Sequence, residues 1–194
     1  MKIGNALVGF ALLLASANAA AQAAAFTYFF GLSLGQSDID QSIASSLISS
    51  GSIDGKDTAF KLYGGGFFGK HLGAELAYID LGEASYGGDF FGAPVTDGKV
   101  AIWGYNISAV ARFPVTPSLN VFGKVGVFLW EQDESDVTAG TPSSRTARGW
   151  EGGSFGIGAV WRFSGSLSAR VEWEQLPLDI ADASLLSLGL QYSF

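Results

Sequence analysis

The sequence contains no cysteine, which removes disulfide frameworks, thiolate metal sites and thiol nucleophiles from consideration. Charge is scarce as well: 15% of the residues are Asp, Glu, Lys or Arg, against roughly 25% in ordinary soluble domains. What charge there is leans acidic, at a formal net −7 with no cluster of lysine and arginine, so nucleic acid is excluded as a partner. Histidine occurs once, at His71, beside Gly69-Lys70 and with no serine or acid in motif spacing. It reads as a turn residue rather than a catalytic base, and no enzyme is expected. Past residue 23, no run reaches the roughly 20 apolar residues that a membrane helix needs. Yet 48% of the chain is hydrophobic, too much for so weakly charged a soluble domain.

Lys2, the apolar stretch Ala6 to Ala15, and small-residue sites at Ala17-Asn18-Ala19 and Ala21-Gln22-Ala23 predict a cleaved signal peptide over residues 1–23. The cut can follow Ala19, Ala21 or Ala23, with Ala23 favoured. Residues 24–194 are then one exported domain.

The apolar residues of that domain recur with period two. "FTYFFGLSL" sets Phe26, Tyr28, Phe30, Leu32 and Leu34 against Thr27, Phe29, Gly31 and Ser33, and "AIWGYNIS" sets Ala101, Trp103, Tyr105 and Ile107 against Ile102, Gly104, Asn106 and Ser108. This is strand spacing. Eight segments behave so: 26–36, 58–68, 71–80, 100–113, 119–130, 150–163, 167–176 and 184–194, with all five prolines between them. Long connections over 37–57, 81–99 and 131–149, and a shorter one over 177–183, alternate with tight turns at Gly69-Lys70, Pro114–Ser118 and Ser164–Ser166. Long external loops opposite short periplasmic turns are the asymmetry of outer-membrane barrels.

The direction of the apolar face follows from its chemistry. A soluble eight-stranded barrel would carry many Lys and Glu outside, whereas here the polar face is mostly Gly, Ser, Thr and Asn and the apolar face reads as uncharged. Aromatic residues gather near the strand ends: Phe26, Tyr28, Phe68, Phe113, Trp161, Phe163, Tyr192 and Phe194 at one level, Phe60, Tyr78, Trp103, Tyr105 and Trp173 at the other. Two such girdles around an aliphatic belt mark a lipid-facing wall. The expected fold is all-β, an eight-stranded antiparallel up-and-down transmembrane β-barrel in the cell outer membrane. It is surrounded by lipids and lipopolysaccharide, and is monomeric because closure leaves no edge to share.

Four blocks, "DTAFKLYGGGFFGKHLGAELAYIDLG", "ARFPVTPSLNVFGKVGVFLW", "SARVEWEQL" and "LLSLGLQYSF", resemble in character and order the transmembrane barrel of the outer membrane protein A (OmpA-like) family. The resemblance implies that the terminal aromatic Phe194 is the signal read by the barrel assembly machinery. It also implies that Glu75 in "GAELAY" and Arg170 in "SARVEW" occupy the positions of an interior acid–base pair proposed as a gate. Val110 and Val160 depart from that pattern, standing where the family has an inward base and an inward acid. Nothing follows Phe194, so the cell-wall anchoring of full-length members is not carried over.

By parity the lumen receives Lys61, Glu75, Arg112, Lys124, Arg162, Arg170, Glu172 and Glu174, together with Phe29, Tyr63, Phe67, Phe122, Phe128 and Trp130. Eight strands enclose an interior just wide enough for side chains to fill, and buried charges must pair. The expectation is a plug of salt bridges, with Arg112 and Arg162, two residues along the same faces, as candidates to substitute for the charges lost at Val110 and Val160, although Arg162 has the opposite sign to the acid missing at Val160. A narrow channel for ions and small solutes is the alternative. No cofactor or resident metal is expected. Most of the acids fall in the long loops, where they form a solvated rim or bridge through calcium or magnesium to lipopolysaccharide phosphates. The function this predicts is a structural and surface-interaction barrel whose loop partner the sequence does not name.

Overall fold

A computed structural model describes residues 26–39, 48–90, 93–138, 140–150, 152–178 and 182–194; the leader expected over 1–23 lies outside them. Ten strands follow in order: β1 (Phe26–Ile39), β2 (Ile48–Asp54), β3 (Lys56–Phe68), β4 (Leu72–Phe90), β5 (Ala93–Pro114), β6 (Leu119–Thr138), β7 (Thr141–Trp150), β8 (Ser154–Ser164), β9 (Leu167–Pro177) and β10 (Asp182–Ser193). Eight of them, all but β2 and β7, close an antiparallel barrel in the circular order β1-β3-β4-β5-β6-β8-β9-β10. The seam is β1 against β10, with Leu32 opposite Leu190 and Leu34 opposite Leu188. Below it, the Phe194 amide donates to the Tyr28 carbonyl at 2.9 Å. No backbone edge in the wall faces hydrocarbon, which is the condition for a sheet to exist there.

The alternation read from the sequence is the alternation of the wall. Leu32, Leu34, Ile107, Val125, Ile157, Val171, Leu186, Leu188 and Leu190 are exposed outward, while Phe29, Tyr63, Phe67, Phe122 and Phe128 are buried inward. Interior space is tight enough that a Cβ at Gly158 would meet the Phe122 ring at 2.5 Å, so the missing side chain on β8 makes room for the aromatic on β6. Within the described part of the eight segments read from the sequence, a charge interrupts the outward face, contrary to the sequence expectation. Asp80 sits at the loop end of β4 in register with Phe60 and Trp103, where the wall is already leaving the hydrocarbon.

The long connections also differ from the expectation of plain loops. β4 and β5 stay paired to Phe90 and Ala93, β6 continues into a hairpin with β7, and β2 adds to β4 beside them. The result is a five-stranded sheet rising from one side of the barrel. Once the barrel fixes the register, continuing the ladder satisfies backbone donors and acceptors that an irregular loop would leave to water. A bulge between Asp80 and Glu83 bends the wall where this extension begins. Gly82 in the bulge has φ 79°, and a Cβ there would meet the Asp57 carboxylate at 2.5 Å. Gly82→Ala is therefore expected to cost about 1–2 kcal/mol, read as a lower urea midpoint of the barrel refolded in vesicles. An unchanged midpoint would mean that the bulge forms without glycine.

Candidate functional site

Antiparallel pairing brings six ions to one height of the lumen. β9 contributes three from a single face, Arg170, Glu172 and Glu174, because every second residue of a strand points the same way. Lys61 arrives from β3, Glu75 from β4 and Lys124 from β6. All six are buried. The Lys61 ammonium donates to Glu172 Oε2 at 2.7 Å and to Glu174 Oε2 at 2.6 Å, and lies 3.5 Å from Glu75 Oε1. Lys124 Nζ lies 2.9 Å from Glu75 Oε1, 2.7 Å from Glu172 Oε1 and 2.5 Å from Glu174 Oε1. Arg170 reaches Glu75 Oε2 at 2.7 Å through Nη1 and grips Glu172 with Nε and Nη2 at 3.1 and 3.0 Å.

Three positive and three negative groups thus close on one another, each acid touching at least two bases. Charge-assisted bonds of this length, several of them bidentate or shared, are the arrangement in which buried ions offset their lost hydration. Aromatic rings hold the cluster in place. The Arg170 guanidinium is sandwiched at 4.3 Å between the rings of Tyr63 and Phe122. Toward the loop end, Phe128 and Trp130 are buried, and the Ser154 hydroxyl donates to the Asn106 amide oxygen at 2.8 Å. Toward the turn end, a cavity of about 20 Å³ lies among Phe29, Phe67, Phe122, Arg170 and Gln191. That is space for about one water.

Of the eight interior charges expected from parity, Arg112 and Arg162 stand apart from this cluster. Both lie at the turn end. Arg112 stacks on Phe67 at 3.8 Å and donates through Nε to the Lys70 carbonyl at 3.3 Å; Arg162 is exposed and donates through Nη2 to the Pro117 carbonyl at 3.4 Å. Parity gives the face but not the height, which strand tilt and stagger set. For the same reason the partners Tyr63, Phe122 and Gln191 of Arg170 were not separable from other inward residues.

The aromatic residues expected as girdles fall at the two ends of the wall. Phe26 meets Phe68 at 5.3 Å, Trp161 meets Phe163 at 6.2 Å and Tyr192 meets Phe194 at 5.1 Å near the turns, with Tyr28 and Phe113 beside them. Tyr78, Trp103 and Tyr105 form one group at the loop end, where Phe155 meets Trp173 at 5.6 Å and Phe60 is half-buried. Tyr78 is 4% exposed, since Trp103 and Tyr105 cover it from outside. His71 is an exposed turn residue with Nδ1 3.0 Å from the Arg112 carbonyl, and no carboxylate accompanies it among the described residues.

A closed β-wall that is apolar outside, ringed by aromatics and filled by paired ions defines an integral outer-membrane barrel. The chain belongs to the outer membrane protein beta-barrel domain family, whose sequence model matches residues 8–194. It is similar to outer membrane protein A of Klebsiella pneumoniae, 28% identical over 68% of this chain and 40% of that protein. It is likewise similar to outer membrane protein A of Yersinia pseudotuberculosis, 28% identical over 97% of this chain and 53% of that protein. The chain therefore spans about half or less of these relatives' length. Among solved structures, Ail of Yersinia pestis superposes with a TM-score of 0.58 at 15% identity, covering 88% of this chain and 99% of that one. Neisserial surface protein A does so with 0.53 at 15%, covering 86% and 97%. The protein resides in the cell outer membrane, in contact with its lipids.

Proposed function

We propose that this barrel is a closed structural element of the outer membrane that presents its loop end to partners, and that its lumen conducts neither ions nor solutes. The observation that carries the reading is the neutral six-ion cluster, held by Tyr63 and Phe122. A hydrated ion crossing it would have to break several buried charge-assisted bonds at once. Glu75 paired with Arg170 at 2.7 Å favours a static plug, since both groups also bind other members of the cluster.

The loop end supports the interaction half of the reading. It carries the tall β4-β5-β6-β7 sheet, and in register along its hairpin Glu131 and Glu134 face Arg148 and Arg145. An open groove of about 560 Å³ lies at that end, lined by Lys56, Asp57, Asp80, Glu83 and Ser85. Ail of Yersinia pestis has been crystallised with the heparin analogue sucrose octasulfate. The excess of acids at this end of the present chain makes a polyanion a poor partner, and favours cationic, uncharged or cation-bridged ones, lipopolysaccharide among the last. Recognition of Phe194 by the barrel assembly machinery and a monomeric state complete the proposal. It includes no catalytic role and no cofactor.

Planar-bilayer recording tests the plug. The refolded native barrel is expected to be silent and Arg170→Ala to leak, because removing the guanidinium unseals the rings that hold it. Steady conductance in the native barrel would make it a narrow channel and overturn the reading.

A further inference from the structure

Charge is sorted along the barrel axis. Outside the interior six, every Asp and Glu among the described residues falls at or beyond the loop end of a strand, while the turn end holds Lys70, Arg112 and Arg162 and, among the described residues, no Asp or Glu side chain. In a chain of formal net charge −7 the turn end is thus locally basic. The two arginines occupy equivalent settings, each followed by an outward phenylalanine of the lower aromatic girdle, in Arg112-Phe113 on β5 and Arg162-Phe163 on β8. Arg112 is engaged through the Lys70 carbonyl and the Phe67 ring, and Arg162 through the Pro117 carbonyl; no carboxylate pairs with either among the described residues. A long basic side chain that starts on the inner face at girdle level can reach over the rim to the headgroup region.

We propose that Arg112 and Arg162, with Lys70, form a collar that binds the anionic phosphodiester groups of lipids in the leaflet at the turn end. A guanidinium fork matches two phosphate oxygens. The neighbouring Phe113 and Phe163 select a lipid rather than a free anion, because they place the forks at the depth where headgroups lie. The turn end faces the periplasm in barrels of this kind, so the ligand is a phospholipid of the inner leaflet and not lipopolysaccharide.

The test is side-chain Nε–H NMR of ¹⁵N-arginine-labelled full-length barrel in nanodiscs, with resonances assigned by single Arg→Lys exchanges. Three conditions are compared: phosphatidylcholine alone, phosphatidylcholine with phosphatidylglycerol, and phosphatidylcholine with inorganic phosphate in the buffer. The proposal expects the Arg112 and Arg162 signals to shift and their protons to exchange more slowly with phosphatidylglycerol, while Arg145 and Arg148 at the loop end stay put. Inorganic phosphate should not reproduce the shift. Absence of any shift, or an equal shift at all exposed arginines, overturns the collar; full reproduction by inorganic phosphate overturns its assignment to lipid. In a second measurement, the Arg112→Gln/Arg162→Gln double variant should lose the extra thermal stability that phosphatidylglycerol gives the native barrel while matching it in phosphatidylcholine. If the variant is equally weakened in both lipids, the arginines are turn staples and the proposal fails. Should that variant not refold, the NMR comparison on the native chain decides.

Discussion

Glu172→Ala is expected to destabilise the folded barrel by about 3–5 kcal/mol, the range for breaking a buried ion pair by removing one partner. Glu172 is touched by all three bases: Lys61 and Lys124 at 2.7 Å and Arg170 through its fork. Its loss leaves three positive groups facing two acids among side chains that are all buried. The desolvation already spent on the bases is then no longer offset. Most of the cost should disappear in Glu172→Ala/Lys61→Met, which restores neutrality and fills the lysine's volume with an apolar chain, because whole buried pairs are often dispensable where single partners are not. Salt should rescue neither variant, as screening acts weakly on buried charges. Urea unfolding in lipid vesicles, followed by tryptophan fluorescence, reads all of this. A single-variant loss below about 1 kcal/mol, the scale of exposed pairs, would show the interior to be hydrated and the plug reading wrong.

The same cluster shows which parts of the molecule could be read from the chain. The wall was legible because lipid and lumen impose opposite chemistry on alternate residues, so Leu186, Leu188 and Leu190 against Ser187, Gly189 and Gln191 name their faces without help. The rising sheet was not. In "TPSSRTARGW" of β7 both faces meet water, polar residues suit either, and the period carries no contrast; pairing there is inherited from β6. Interior membership was legible by parity, but grouping was not. Glu75 and Lys124 meet at 2.9 Å because β5, which lies between their strands, sets Glu75 opposite Ser108 and Ser108 opposite Gly126. Those registers depend on turn lengths and shear summed around the barrel. Arg112 and Arg162 share the parity of the cluster and miss it by height alone. Asp80 misled in the opposite way, being outward in parity yet beyond the apolar belt.

Arginine at the middle of the outer wall separates lipid contact from mere exposure. Leu188 is 66% exposed, stands midway along β10 between Leu34 and Val171, and faces outward between the two girdles. Leu188→Arg should cost about 2–4 kcal/mol, the range at the bilayer midplane. Leu167, also exposed but at the turn end of β9 in register with Tyr192, is the control. Leu167→Arg should cost about 0–1 kcal/mol, since a guanidinium there reaches the headgroups. Both substitutions remove an exposed leucine and add the same group, so propensity and lost contacts nearly cancel in the comparison, and the difference measures depth. Urea unfolding in vesicles supplies both values. Equal costs would mean that the wall at Leu188 is not in hydrocarbon, and the assignment of the aromatic rings to the two membrane interfaces would fall with it.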